Sequence, residues 1–521
     1  MRCALALILY KLGVNFYECE EASEGLGHLK KALELFNTLP DALKLRHLNS
    51  VQDLYNHIAI IQSDRDHSQE ALDYLEKSEE VYQIVAGHTQ GFPVKSMVNN
   101  FDRYLLKQSC RAKEGAAGLT SDSGRPESDA KFTFYINQGL DLKQLESKYT
   151  TTLFILAQVH SKLNNVDEGI RYCAMTMKRQ LSQGQYDLKD WVVNATTLAD
   201  AFLAREHFCQ AEYLLFAAFH VLPEDLGRKK GLRAMVQLQL GRYYQRRLEV
   251  GVLLHSRGLE FDKQKVSQRF VEFPELKLNW PELKDVKSLD DAKTLFRLAN
   301  TMFKKALEHY QLDGFVTEHV QIKQGVSLLY KHLAKLELDL QRCELMHTRR
   351  AEMLEFLKSE LNPNAYQVRL MEFGAELSEI YGELYEIELR KPRKAAVRLN
   401  ELAAKSMENA ALFTQPVYAR PEDADRFDYF PTVLNLELSG ASKLTKWITA
   451  DPRERIAKTK DALDIYLKLQ LYVKDYFKFK GISGEAEVED EQVREQIRIV
   501  REMAELLPQK LDKMSAALGG A

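Results

Sequence analysis

Apolar side chains recur every three or four residues along most of the chain, the period at which a helix lays one face against its neighbours. In the stretch TLFILAQVHSKLNNVDEGIRYCAMTMKRQL, from Thr152 to Leu181, two such runs flank a polar turn at Asn164 and Asn165. That pattern predicts two helices folded back on each other. Its small residues recur: Leu156-Ala157 is followed twelve residues after Ala157 by Gly169, and the same arrangement stands at Leu12-Gly13 with Gly25, Ile58-Ala59 with Ala71, and Leu198-Ala199 with Ala211. A small residue on each helix lets two backbones approach at their crossing, and this spacing is the tetratricopeptide-type signature. Apolar residues follow the second small position as Leu29 and Ala32, as Cys173, and as Leu215 and Ala218. An aromatic follows the first small position as Phe16 and Phe202; His160 takes that place after Ala157 and is expected to be a core or edge residue, not a ligand.

One hairpin cannot bury its own apolar face, so neighbours must stack into a superhelix that offers a concave groove for binding. Residues 1–248 are therefore expected to form an N-terminal subdomain, with a mobile loop at 111–131 where Gly, Ser, Asp and Pro concentrate. Residues 249–287 are expected to be an irregular connector. Ser288, with Asp290 and Asp291 behind it, predicts the start of a linker helix over 288–311, whose stripe runs through Leu295, Phe296, Ala299, Met302, Phe303, Ala306 and Tyr310. The remainder, 312–521, reads as a C-terminal helical subdomain. Pro363, Pro392, Pro416, Pro421, Pro431, Pro452 and Pro508 are expected to divide it into helices of about 15 to 25 residues.

Composition agrees with an all-α protein too long for one core, at 521 residues with 45% hydrophobic and 28% charged positions. A net charge of −3 supplies no basic footprint for nucleic acid. The short basic clusters Lys178-Arg179, Arg228-Lys229-Lys230 and Arg349-Arg350 read as solubilising helix ends. Cys3, Cys19, Cys110, Cys173, Cys209 and Cys343 lie far apart, without metal-ligand spacing, and read as reduced structural thiols. The opening MRCALALILYKLG is interrupted by Lys11 and reads as a first solenoid helix, not as a signal peptide, and no run reaches the ~18 to 20 apolar residues of a membrane span. Glycine-rich phosphate loops, HExxH and EF-hand patterns are absent, and GISGE at Gly481 lacks the strand that a nucleophile elbow needs. The expectation is a cytoplasmic binding protein with no catalytic residue, no cofactor and no metal.

Five stretches then carry a family resemblance: LAQVHSKLNNVDEGIRYCAMTMKRQL with the following DWVVNATTL, LDGFVTEHV at Leu312, RRAEMLEFLKSELNPNAY at Arg349, ITADPRE at Ile448 and REMAELLPQK at Arg501. In collinear order over nearly the whole chain, they resemble the kinesin-family binding proteins. That resemblance implies an all-α, right-handed α-solenoid of degenerate tetratricopeptide-like hairpins, in two subdomains joined by a linker helix. It implies a protein that captures kinesin motor domains and occludes their microtubule-binding helix, associated with the cytoskeleton; charge and hydropathy separately lead to the expectation of no nucleic-acid partner and no membrane insertion, and the chain is expected to be a monomer. A general scaffold for a helical or extended peptide of another partner is the alternative. The family's motor-contacting positions correspond here to Gln158, Gln180, Thr197 and Lys230. Ile155 stands where the family resembles a tyrosine, which removes a ring and hydroxyl from the implied contact. The chain is also expected to start inside the family's first matched helix, without an N-terminal extension.

Overall fold

Helices α1 (Arg2–Glu18) and α2 (Ala22–Asn37) cross where each carries a glycine. A methyl built on Gly25 would sit 2.8 Å from the Gly13 carbonyl oxygen, and one built on Gly13 would sit 2.7 Å from Leu29 Cγ. The two backbones touch, as the spacing requires. The computed structural model describes residues 1–40, 43–44, 47–88, 142–184, 186–224, 230–420 and 424–519. The expected loop at 111–131, Cys110, Arg228, Lys229 and Pro421 lie outside them.

Two more hairpins follow, and then a further helix–turn–helix step in the same register. Helix α3 (Leu48–Asp64) pairs with α4 (Ser68–His88), and α5 (Leu142–Lys162) with α6 (Val166–Gln183). Helix α7 (Leu188–Ala204) is followed by α8 (Phe208–His220), with Ala199 and Ala211 both buried. Each of the four turns contains a non-glycine residue in the left-handed region: Glu20, Asp66, Asn164 and Glu206, with φ between 61 and 66°. The next residue's N–H reaches back to a carbonyl of the last helical turn, as Glu21 to Phe16, His67 to Gln62, Asn165 to His160 and His207 to Phe202, at 2.8 to 3.0 Å. This bond closes the helix end and reverses the chain. Every left-handed residue lies seven positions after the first small residue, so turn geometry and small-residue spacing keep one register.

The chain forms two compact units, Met1–Leu198 with Phe270–Asn279, and Ala199–Arg269 with Trp280–Ala521. In the first unit α3 is buried on nearly every side, and Trp191 at the start of α7 is fully buried against Phe273, ring centroids 5.3 Å apart.

In the second unit, α9 (Lys230–Ser256) runs past Glu249 before the chain becomes irregular. Helix α10 (Leu289–Leu307) begins where Ser288 and Asp291 cap one another: Ser288 Oγ accepts from Asp291 N at 3.2 Å, and Lys287 N donates to Asp291 Oδ2 at 3.1 Å. Its stripe is buried at Leu295, Ala299, Phe303 and Ala306. Phe303 fits only because α9 and α11 (Val316–Ala334) present Gly241 and Gly325, where added methyls would fall 2.5 and 2.8 Å from its ring. Helices α12 (Leu340–Glu360), α13 (Gln367–Arg390), α14 (Ala396–Tyr418), α15 (Phe430–Thr445), α16 (Pro452–Lys480) and α17 (Glu491–Gly519) complete it. Among the described residues every regular element is a helix.

Two sequence expectations are corrected here. Pro416 and Pro508 lie inside α14 and α17 and do not end them, and α16 and α17 reach 29 residues each. A proline within a helix removes one backbone hydrogen bond, a cost offset in α17 by the buried stripe Val493, Ile497, Val500, Ala504 and Leu507. The basic pairs are not all solvated helix ends either. Arg350 is 0% exposed in mid-helix, its Nε 3.1 Å from Ser327 Oγ and a terminal nitrogen 3.1 Å from His347 Nδ1. Glu376 lies 3.4 Å from its other terminal nitrogen. Arg179 is likewise paired internally, with Glu146.

Candidate functional site

The inward face of α5 is fixed by polar contacts that helical periodicity alone does not announce. Thr152 Oγ1 donates to Asn56 Oδ1 at 2.9 Å, Ser78 donates to the same oxygen at 2.9 Å, and Asn56 Nδ2 donates to the Lys148 carbonyl at 3.1 Å. Lys148 pairs with Asp53 at 2.7 Å, and Tyr10 also donates to that carboxylate. At the other end Lys162 Nζ donates to the Ser63 carbonyl at 2.6 Å. Glu79 accepts from Tyr149 at 3.1 Å and from Tyr172 of α6 at 3.3 Å. Burial pushes its carboxyl up, and those hydroxyls offset only part of the rise. Arg179 of α6 bonds Glu146 and lies 4.7 Å from the Tyr149 ring centroid, which ties the two helices together. His160 is buried and stacked on Tyr172 with centroids 5.3 Å apart, and burial lowers its pKa. Its Nδ1 has no partner among the described residues, so it is a core histidine incompletely satisfied.

This network leaves one stripe of α5 outward: Ser147, Thr151, Phe154, Gln158 and Ser161 are exposed at intervals of three and four. On α7 the exposed positions include Asp190, Val193 and Thr197. Gln158 and Thr197 thus present side chains to solvent from the first helices of successive hairpins. The Thr197 hydroxyl is turned back onto the Val193 carbonyl at 2.9 Å, leaving its methyl outward and an oxygen lone pair to accept a bond. Gln180, on α6, is half-buried, and its Oε1 is enclosed without a hydrogen-bond partner among the described residues. An unpaired buried acceptor costs about 1–3 kcal/mol unless a donor reaches it.

Ile155 differs from the other four. It is 4% exposed and packs in the core with Leu156 and Val159, so it offers no free side chain at the surface. The residue beside it, Phe154, is 38% exposed and shares the stripe of Gln158, as Val193 at 37% shares that of Thr197. Neither was singled out from sequence, although a step of four back from Gln158 or Thr197 leads to both. Lys230 belongs to the second unit, as the exposed first residue of α9. Among the described residues there is no cluster of potential metal ligands, and no helix is long and apolar enough to cross a membrane. Gly481, in the GISGE motif, ends α16 with a φ of 67° and opens a loop.

Paired helices in one register, a fixed polar interior and a ladder of exposed side chains define an all-α solenoid of helical hairpins, a class that binds partners along its surface. Comparison makes the assignment more particular. Residues 255–514 match the family described as KIF-1 binding protein C terminal. The rat KIF-binding protein is 26% identical over 99% of this chain and 85% of its own length, and the human one is 26% identical over 98% and 84%. A solved structure of kinesin binding protein shares the fold, with a TM-score of 0.60 at 22% identity, covering 97% of this chain and 86% of that one. The chain belongs to the KIF-binding protein family.

Proposed function

We propose that the chain captures kinesin motor domains through the exposed stripes of α5 and α7, and that capture keeps the motor off the microtubule. The observation that carries this reading is the pairing of an apolar and a polar group on each stripe, Phe154 with Gln158 and Val193 with Thr197, above a base locked by buried hydrogen bonds. A surface ordered before binding loses little entropy on docking. Gln180 is half-buried with its Oε1 enclosed, so its contact with the motor is made by the remainder of its side chain, while Lys230 supplies a separate electrostatic contact from the second unit. Relatives named for binding this class of motor support the choice of partner. The protein then acts without catalysis, as a cytoplasmic, cytoskeleton-associated monomer that regulates microtubule-based transport by occupying the face a motor needs for tubulin.

The test is retention of a panel of isolated motor domains on the immobilised full chain. Replacing Gln158 and Thr197 together by Ala removes two exposed side chains, and the expected loss is about tenfold in affinity at unchanged helical content. Unchanged affinity for every motor retained removes the proposed surface. Retention of no motor at all removes the proposed partner.

A further inference from the structure

Three helices of the second unit, α10, α11 and α12, border an open pocket of about 310 Å³ that the proposed motor surface does not use. Its floor is apolar. Phe296 and Tyr330 meet there with ring centroids 4.9 Å apart, and Leu333 lies buried beside them. Its lining carries four cations, Lys293, Arg297, Arg342 and Arg349, and no carboxylate. Lys293 has Asp290 at 3.4 Å, and Arg342 has Glu337 and Asp339 at 3.6 and 3.8 Å, all of them loose pairs. Arg297 and Arg349 have no carboxylate at ion-pair distance among the described residues; Arg349 lies 6.0 Å from the Tyr330 ring centroid.

Cations whose only task is solubility need no apolar concavity between them. Here they flank one, and Leu345 on its lining is 55% exposed. The volume stands at the low end for binding pockets, enough for one large side chain and its flanking groups. Guanidinium forks match carboxylates in two-point geometry, and an aromatic floor has no use for a bare anion. We propose that this pocket is the docking site for an acidic peptide segment of a protein partner. One aromatic or large aliphatic side chain enters between Phe296, Tyr330 and Leu333, and neighbouring Asp or Glu residues bind Arg297 and Arg349.

The probe is a fluorescein-labelled synthetic peptide, Asp-Glu-Asp-Phe-Glu-Asp-Glu, titrated against the full chain by fluorescence anisotropy. Saturable binding is expected, weakened about tenfold by the double substitution Arg297→Ala and Arg349→Ala, and about fivefold when the peptide's Phe becomes Ser. Arg297→Lys with Arg349→Lys, which keeps the charge and loses the fork, is expected to fall in between. Circular dichroism of each variant separates loss of binding from loss of fold. Absence of saturable binding by the wild-type chain overturns the proposal. So does equal binding of the Phe and Ser peptides, which makes the attraction charge alone. Binding to phosphatidylserine vesicles that is lost in the double variant, while the peptide fails to bind, assigns the surface to a membrane and also overturns it.

Discussion

Gly25 and Gly169 hold the same position in two hairpins, yet the structure gives their replacement by alanine opposite signs. A methyl on Gly25 falls 2.8 Å from the Gly13 carbonyl oxygen and 3.1 Å from the Tyr17 nitrogen. Both obstacles are backbone, so no side chain can turn aside and α1 must move away from α2. Overpacking of this kind costs about 1–3 kcal/mol, from which the better helix propensity of alanine returns up to about 1 kcal/mol, leaving a loss of roughly 0.5–2 kcal/mol. On Gly169 the methyl meets the Ala157 carbonyl oxygen at 3.5 Å and the Ser161 nitrogen at 3.7 Å, ordinary contact distances. Gly169→Ala is therefore expected to stabilise its hairpin by about 0.4–1 kcal/mol. A chain of this size does not unfold in one step, so the assay is native-state hydrogen exchange read by peptide mass spectrometry over α1–α2 and α5–α6. Exchange in α1–α2 should quicken by roughly 2- to 30-fold for Gly25→Ala, and exchange in α5–α6 should slow for Gly169→Ala. Slower exchange in the first variant, or quicker in the second, would refute the claim that backbone contact pins Gly25 and leaves room at Gly169.

Arg350→Ala would strand the Glu376 carboxylate beside a buried gap, and a loss of about 3–5 kcal/mol in urea denaturation of the second unit is expected; adding Glu376→Gln should recover part of it. His332 and His347 are buried, and burial lowers each pKa from 6.5 to about 4. His347 Nδ1 also faces an Arg350 nitrogen, so it accepts a bond only while neutral. The unfolded chain takes up these protons first. Stability is thus fully present above about pH 6.5 and falls as pH drops towards 4, by up to about 1.4 kcal/mol per pH unit for each histidine. Denaturation midpoints measured at pH 7.5, 5.5 and 4.5 should decline, and less steeply in His347→Gln, whose amide oxygen accepts the same bond without titrating.

The hairpins were legible in sequence because close helix crossings demand small residues, and small residues leave a fixed spacing. The turns were not. Glu20, Asp66, Asn164 and Glu206 share a left-handed backbone without the glycine that usually signals one, so their position in the repeat is what unites them. Ser288 was legible because a cap needs a particular oxygen at a particular place. Arg350 was misread for the opposite reason: its partners Ser327 and Glu376 come from other helices, 23 and 26 residues away, and its burial is a property of packing. The candidate surface divides in the same way. Helical period places Gln158 and Thr197 outward and finds Phe154 and Val193 with them, whereas the burial of Ile155 and the enclosure of the Gln180 oxygen depend on what packs against each helix.

The central claim is that one surface cannot be shared by this chain and a microtubule when both seek the same motor. The most direct measurement is sedimentation of a retained kinesin motor domain with microtubules as the full chain is titrated in. The account predicts that motor leaves the pellet in proportion to complex formed, that the chain itself stays in the supernatant, and that the Gln158→Ala and Thr197→Ala double variant needs about tenfold more protein for the same release. Pelleting of the chain together with motor and microtubule would contradict it.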